Sequence, residues 1–300
     1  MQIRTGLAKA GELEIHYEDM GDENDPAVLL IMGLGAQLLL WRKEFCQKLV
    51  DQGLRVIRYD NRDVGLSTKF SGRHTGAPLL PRLVRSFFGM RSPAVYTLED
   101  MADDAAALLD HLTIDRAHIV GGSMGGMIAQ IFAARFPERT KSLGVIFSSN
   151  NKALLPPPGL PQLRALLGRP ADNTREAVVE NAIRVARIIG SPGYPAPQER
   201  LRADAIEGYD RAYYPAGIAR HFAAILGSGS LLHYDRRITA PTVVIHGKAD
   251  KLMRPAGGRA IARAIEGARL VLLDGMGHDL PEELWDDIVG ELKSNFAETA

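Results

Sequence analysis

Short runs that are apolar at most positions alternate along the chain with longer stretches whose apolar positions recur every three or four residues. Up to about Ser149, the segments ELEIHYED, AVLLIM, RVIRYD, AHIVGG and SLGVIFSS have the length and apolar density of strands. Trp41 to Gln52, the stretch TLEDMADDAAALLDHL that begins at Thr97, and Met124 to about Arg135 have helical spacing. In the second of these helices Met101, Ala105, Leu108, Leu109 and Leu112 form one stripe, and Thr97 with Asp100 predicts an N-terminal cap. Near-continuous apolar strands separated by helices imply an α/β fold with a mostly parallel sheet covered on both faces.

The rhythm changes after Asn150. ALLPPPGLPQL is followed by helical segments around residues 174–189, 198–213 and 216–226, with no convincing strand between them. From Pro241 the alternation returns: TVVIHG, a helix over 255–265, ARLVLLD, and a last helix in PEELWDDIVGELKSNF. Residues 1–149 and 236–300 are therefore expected to form one core, with 150–235 inserted as a helical cap over the carboxyl ends of the strands, where open sheets bind ligands. The connection between RYD and Thr97 contains PLLPRLVRSFFGM, apolar with arginines at intervals. A helix walling a pocket is the favoured reading; a membrane-surface helix is the rival.

Composition narrows the functional classes. Acidic and basic residues balance at 36 each, so no strong field points to nucleic acid or an anionic membrane. A single cysteine, Cys46, excludes an intramolecular disulfide and a cysteine-based metal site. The most apolar window, from Ala27 to Trp41, is too short for a bilayer, so no stable membrane insertion is expected. MQIRTGLAK lacks the apolar core of a signal peptide, which makes the cytoplasm the expected location.

The strongest chemical signal is VGGSMGGMIAQIF, which contains Gly121-Gly122-Ser123-Met124-Gly125, a match to G-x-S-x-G. A strand leads in and an apolar helix leads out, the setting of a nucleophile elbow. Ser123 would stand at the apex, Gly121 and Gly125 would make room for close backbone, and the helix would turn its N-terminal amides toward developing negative charge. The spacings of phosphate-binding loops are absent. A serine needs a base, and the base an orienting acid.

Of the eight histidines, His16 lies in a strand, and His111 and His118 flank a junction remote from the strand ends. His74, His221 and His233 lie in the cap or the long connection, and His246 ends a strand, where a packed or hydrogen-bonded role is expected. His278, on a glycine-flanked loop after the last strand, is the candidate base. Asp250, three residues past TVVIHG, is the candidate acid; the rival is a surface-turn aspartate before a helix. Asp279 adjoins His278 too closely to turn back onto its ring. The oxyanion of acyl transfer needs donors as well, and the backbone N–H groups of Leu34, in IMGLGAQ, and of Met124 are the candidates. Leu38, Leu39, Leu40 and Trp41 line an acyl pocket or belong to the core.

With Gly-Leu-Gly at 33–35, G-x-S-x-G at 121–125, Asp250 and His278 in that order, the sequence resembles the α/β-hydrolase superfamily. RYDNRDVGLST at 58–68 resembles the D-x-R-x-x-G-x-S segment of its single-domain esterase and peroxidase-like branch. Together with MGLGAQ and GMGH it is most similar to the aclacinomycin methylesterase-like group. That resemblance implies Ser123 as nucleophile, His278 as base, Asp250 as its partner, Leu34 and Met124 amides as oxyanion hole, and no cofactor or metal. Met32 stands where the commoner pattern has histidine, and the match is weak through the cap. Position 123 is serine, which disfavours the epoxide hydrolases and haloalkane dehalogenases of this fold, since they need an aspartate there.

The expected function is hydrolysis of a carboxylic ester in a small, hydrophobic molecule. The alternatives are other reactions on the same triad (C–C hydrolysis, acyl transfer, perhydrolysis) and a ligand-binding protein with negligible turnover.

Overall fold

The computed structural model describes residues 2–73 and 76–298. The strands among them are β1 (Ile3–Ala10), β2 (Leu13–Met20), β3 (Ala27–Ile31), β4 (Arg55–Tyr59), β5 (Ala117–Gly122), β6 (Thr140–Ile146), β7 (Thr242–Gly247) and β8 (Arg269–Leu273). They form one sheet in the order β1-β2-β4-β3-β5-β6-β7-β8. β1, β2 and β4 pair antiparallel, and every pairing from β4 to β8 is parallel. Every residue of β3, β4, β5 and β7 is buried; β3, β5 and β7 read as largely apolar runs for that reason, while β4 buries Arg55 and Arg58 in ion pairs with Asp19 and Glu18.

The eighth strand, β1, is not predicted by the apolar pattern. IRTGLAKA buries only Ala8, because it is an edge strand with one neighbour, and Thr5, Leu7 and Lys9 are exposed. β6 begins and ends slightly earlier than the apolar run suggests. Phe147, the next residue, has a φ of 37°, which no strand accommodates.

The helices are α1 (Lys43–Val50), α2 (Leu79–Phe87), α3 (Leu98–His111), α4 (Met124–Arg135), α5 (Leu160–Leu167), α6 (Arg175–Ile189), α7 (Gln198–Arg211), α8 (Pro215–Ser228), α9 (Leu232–Asp235), α10 (Ala256–Ala264) and α11 (Trp285–Ala297). The expected cap on α3 is a reciprocal capping box: Asp100 N–H donates to Thr97 Oγ1, and Thr97 N–H donates to the Asp100 carboxylate at 2.7 Å. Such a cap stabilises a helix by about 1 kcal/mol.

Alternation along β3 divides the core in two. Leu29 and Ile31 pack with α3 and α4 on one face; Val28 and Leu30 pack with Phe45 of α1 and Ile288 of α11 on the other. The five helices α5–α9 lie between β6 and β7 in the chain, with no strand among them.

Ion pairs tie these helices to the sheet. Arg211 reaches Asp60 at 2.8 Å and Arg220 reaches Asp63 at 2.7 Å, both carboxylates being wholly buried. Burial would push the Asp63 carboxyl up, but hydrogen bonds from Arg220 and Tyr96 outweigh it and hold it below the usual range.

PLLPRLVRSFFGM does form a helix, α2, but its burial is inverted. Arg82 is the buried residue and donates to the Ala223 carbonyl of α8, while Leu79, Leu80, Val84, Phe87, Phe88 and Met90 are exposed. Among the described residues, no helix is long and apolar enough to cross a membrane.

Candidate active site

Ser123 sits between β5 and α4, as the residue preceding the first helical turn, with φ 56° and ψ −123°. A non-glycine side chain in that region is strained by about 1–3 kcal/mol, and surrounding structure must hold it there. Here Ser123 N–H donates to the Ile146 carbonyl at 3.0 Å, and Ser148 Oγ donates to the Ser123 carbonyl at 2.6 Å. The glycines beside it are required by contact. A Cβ on Gly121 would lie 2.2 Å from the Gly125 carbonyl oxygen, and one on Gly125 would lie 2.1 Å from that of Ile31. The turn is therefore tight enough to project the hydroxyl beyond the sheet.

Two loops bring the other candidate residues to this hydroxyl. His278 follows β8, and its Nε2 lies 2.9 Å from Ser123 Oγ. Its loop is anchored to the inserted helices: His278 N–H donates to the Ile189 carbonyl, and Gly277 N–H to Ser191 Oγ, each at 2.8 Å. Asp250 follows β7 and places Oδ2 2.7 Å from His278 Nδ1, while its Oδ1 accepts the amides of Leu252 and Met253 at 2.8 and 2.9 Å.

Burial alone would push the Asp250 carboxyl up, but the facing His278 and His246 rings bring it down to about 2. The carboxylate is thus ionised and aimed at the ring. The arrangement also fixes the tautomer, with Nδ1–H donating to Asp250 and Nε2 free to accept from the serine. Asp279, by contrast, turns away from His278 and accepts from Ser191.

The Gly-Leu-Gly loop after β3 passes directly beside the serine: a Cβ on Gly33 would lie 2.9 Å from Ser123 Cβ and 3.3 Å from its Oγ. Neither Leu34 N–H nor Met124 N–H has an acceptor among the described residues.

The segment with the D-x-R-x-x-G-x-S spacing braces this loop rather than reaching the serine. Asp60 Oδ1 accepts Leu38 N–H at 2.8 Å, Asn61 Nδ2 donates to the Met32 carbonyl at 2.9 Å, and Arg62 is spent on Asp104. Trp41 is fully buried in the core and Leu40 half exposed, so the residues 38–41 divide between core and surface.

The sequence gives His246 a packed or hydrogen-bonded role, which the structure bears out, but it does not single out the other residues that support the site. His246 lies 3.4 Å from Asp250 Oδ2 and donates to the Met253 carbonyl, so a second imidazole stands behind the acid. Ser148, Ser191 and His221 act through backbone and belong to no motif; only tertiary contact reveals them. His16 lies at Asp60, and His118 is bonded to Ser142, both away from Ser123. His74 lies outside the described residues. No group of three or more His, Cys, Asp or Glu that could hold a metal occurs among the described residues.

Residues 26–283 match the alpha/beta hydrolase fold family, and the chain belongs to it. Over 299 aligned positions it is 30% identical to a rhodomycin D methylesterase of Streptomyces peucetius, covering 92% of this chain and 93% of that one. It is 26% identical to a monoacylglycerol lipase of Mycolicibacterium smegmatis, covering 97% and 96%. Among solved structures, the enol-lactonase from Burkholderia xenovorans LB400 superimposes with a TM-score of 0.72 at 23% identity, covering 97% of this chain and all of that one. At that identity the likeness concerns the fold alone. The expected α/β-hydrolase fold and the resemblance to methylesterases of the aclacinomycin type are borne out, and the protein is a hydrolase.

Proposed function

We propose that this protein is a cofactor-free serine hydrolase that cleaves a carboxylic ester of a small, largely apolar molecule through an acyl-enzyme. The observation that carries the reading is the continuous relay from Asp250 through His278 to Ser123, at 2.7 and 2.9 Å. His278 Nε2 takes the Ser123 proton as Oγ attacks the ester carbonyl, and the carbonyl oxygen becomes an anion facing the Leu34 and Met124 amides. Collapse of this intermediate breaks the ester C–O bond, and the alcohol leaves with the proton from His278. A water then gives its proton to His278, attacks the acyl carbon, and releases the acid as the serine is reprotonated. Asp250 remains ionised and stabilises the imidazolium formed in each half.

The similarity to a rhodomycin D methylesterase favours a methyl ester as the natural bond. The helices α5–α9, within residues 150–235, serve as the cap that shapes the acyl and alcohol sites. They already support the His278 loop through Ile189 and Ser191.

The test is hydrolysis of p-nitrophenyl and methyl esters of graded chain length, with Ser123 labelled by a fluorophosphonate. Ser123→Ala is expected to lose both turnover and labelling. Turnover that survives this replacement overturns the assignment, and product analysis with a competing alcohol separates hydrolysis from acyl transfer.

A further inference from the structure

The oxyanion loop is bound on both sides, and one of the binding groups comes from the inserted helices. His221 in α8 is wholly buried and uses both ring nitrogens on backbone. Nε2 lies 2.7 Å from the Arg62 carbonyl oxygen, and Gly35 N–H donates to Nδ1 at 3.1 Å. A carbonyl can only accept, so the proton is on Nε2 and Nδ1 is the acceptor. Burial is the main cause that drives the His221 imidazole down to about 4, consistent with a neutral ring.

The placement of these bonds along the loop is informative. The peptide unit before Leu34 carries the N–H read above as an oxyanion donor, and the loop at Gly33 passes beside Ser123. The unit preceding it is held at the Met32 carbonyl by Asn61 Nδ2 at 2.9 Å, and the unit following it is held at Gly35 N–H by His221. The unpaired amide thus stands between two tethered neighbours. α8 touches the loop a second time, since Ile218, one turn before His221, occupies the space where a Cβ on Gly35 would project, at 2.7 Å.

We propose that His221 is a positioning residue: from the inserted helices it fixes the Leu34–Gly35 peptide, and through it the direction in which Leu34 N–H points at a developing oxyanion. The orientation of the donor then depends on α8 being docked on the sheet, which gives the insertion a part in transition-state stabilisation as well as in shaping the pocket. This rests on the reading of Leu34 as an oxyanion donor. A misdirected donor weakens binding of the tetrahedral state and leaves ground-state binding alone.

The experiment compares the parent enzyme with His221→Gln, which keeps a donor for the Arg62 carbonyl and withdraws the acceptor from Gly35. His221→Asn is the second variant, placing an amide oxygen near the Nδ1 position. Three quantities are read: kcat and KM on a p-nitrophenyl ester, affinity for an alkylboronic acid that forms a tetrahedral adduct with serine, and Tm. His221→Gln is expected to lower kcat and boronate affinity together, by about tenfold to a hundredfold, with KM unchanged. His221→Asn is expected to lose less of both. An unchanged kcat in a folded His221→Gln enzyme overturns the proposal. So does a loss that falls on KM and Tm while boronate affinity stays at the parent value. A parent that neither turns over esters nor is labelled by fluorophosphonate overturns the serine-hydrolase reading and this proposal with it; an active parent with indifferent variants overturns this proposal alone.

Discussion

Asp250 and His278 meet at 2.7 Å, and the acid cannot rotate out of that contact because its second oxygen already accepts the amides of Leu252 and Met253. The imidazole is therefore oriented by a carboxylate that is itself locked by backbone. Because the pair is buried, its electrostatic coupling is much less screened than at a surface.

Asp250→Asn keeps the volume and removes the charge, and the new amide can offer His278 a donor where an acceptor stood. We expect kcat to fall by on the order of 10³–10⁴, with KM little changed, because the ring then favours the wrong tautomer. Steady-state kinetics check this, and a loss smaller than about tenfold contradicts the role given to Asp250.

Gly33 and Gly125 separate activity from stability. A Cβ on Gly125 would press on the Ile31 backbone at 2.1 Å, where nothing can yield cheaply. Gly125→Ala should cost about 1–3 kcal/mol or more and lower Tm visibly in thermal unfolding. A Cβ on Gly33 meets Ser123 itself, at 2.9 Å from Cβ and 3.3 Å from Oγ. Gly33→Ala should lose most of its turnover while keeping a Tm closer to that of the parent.

Asp235 makes stability depend on pH near neutrality. It is fully buried in α9, accepting from Asn150 Nδ2 at 2.7 Å, and its other oxygen has no partner among the described residues. Burial pushes this carboxyl up to about 7, against the lowering effect of Asn150. An unfolded aspartate titrates at about 3.9, so the folded chain keeps a proton that the unfolded chain has released. The resulting stabilisation is complete below about pH 4 and is lost as pH rises through about 7. Asp235→Asn is neutral throughout and should unfold a few degrees above the parent at about pH 8, with the gap closing toward about pH 5. Melting curves across that range test it; a constant offset would show that the carboxyl is not the titrating group.

Cys46 should be unreactive in the folded enzyme. Its thiol is fully buried against the Trp41 carbonyl, and burial pushes it up to about 12, so almost no thiolate forms at neutral pH. Iodoacetamide is expected to leave Cys46 unmodified until denaturant is added. Rapid alkylation of the native protein, read by mass spectrometry, would contradict this.

Local sequence determined a large part of this protein. Parallel strands buried on both faces are largely apolar, so β3, β5 and β7 are legible as short apolar runs. Thr97 and Asp100 stand at the three-residue spacing of a capping box, so the cap of α3 is legible too. The elbow at Ser123 was readable for the same reason, since a strand-to-helix turn that tight needs glycines at fixed offsets.

Tertiary structure alone decided the rest. It joined β1 to the sheet by pairing instead of burial, and turned the apolar side of α2 outward by burying Arg82. It also set His246 behind Asp250 and carried His221 across 186 residues to Gly35. Contacts between residues distant in sequence depend on how the elements dock, and a lone histidine in a helix carries no local sign of the carbonyl or amide it will meet.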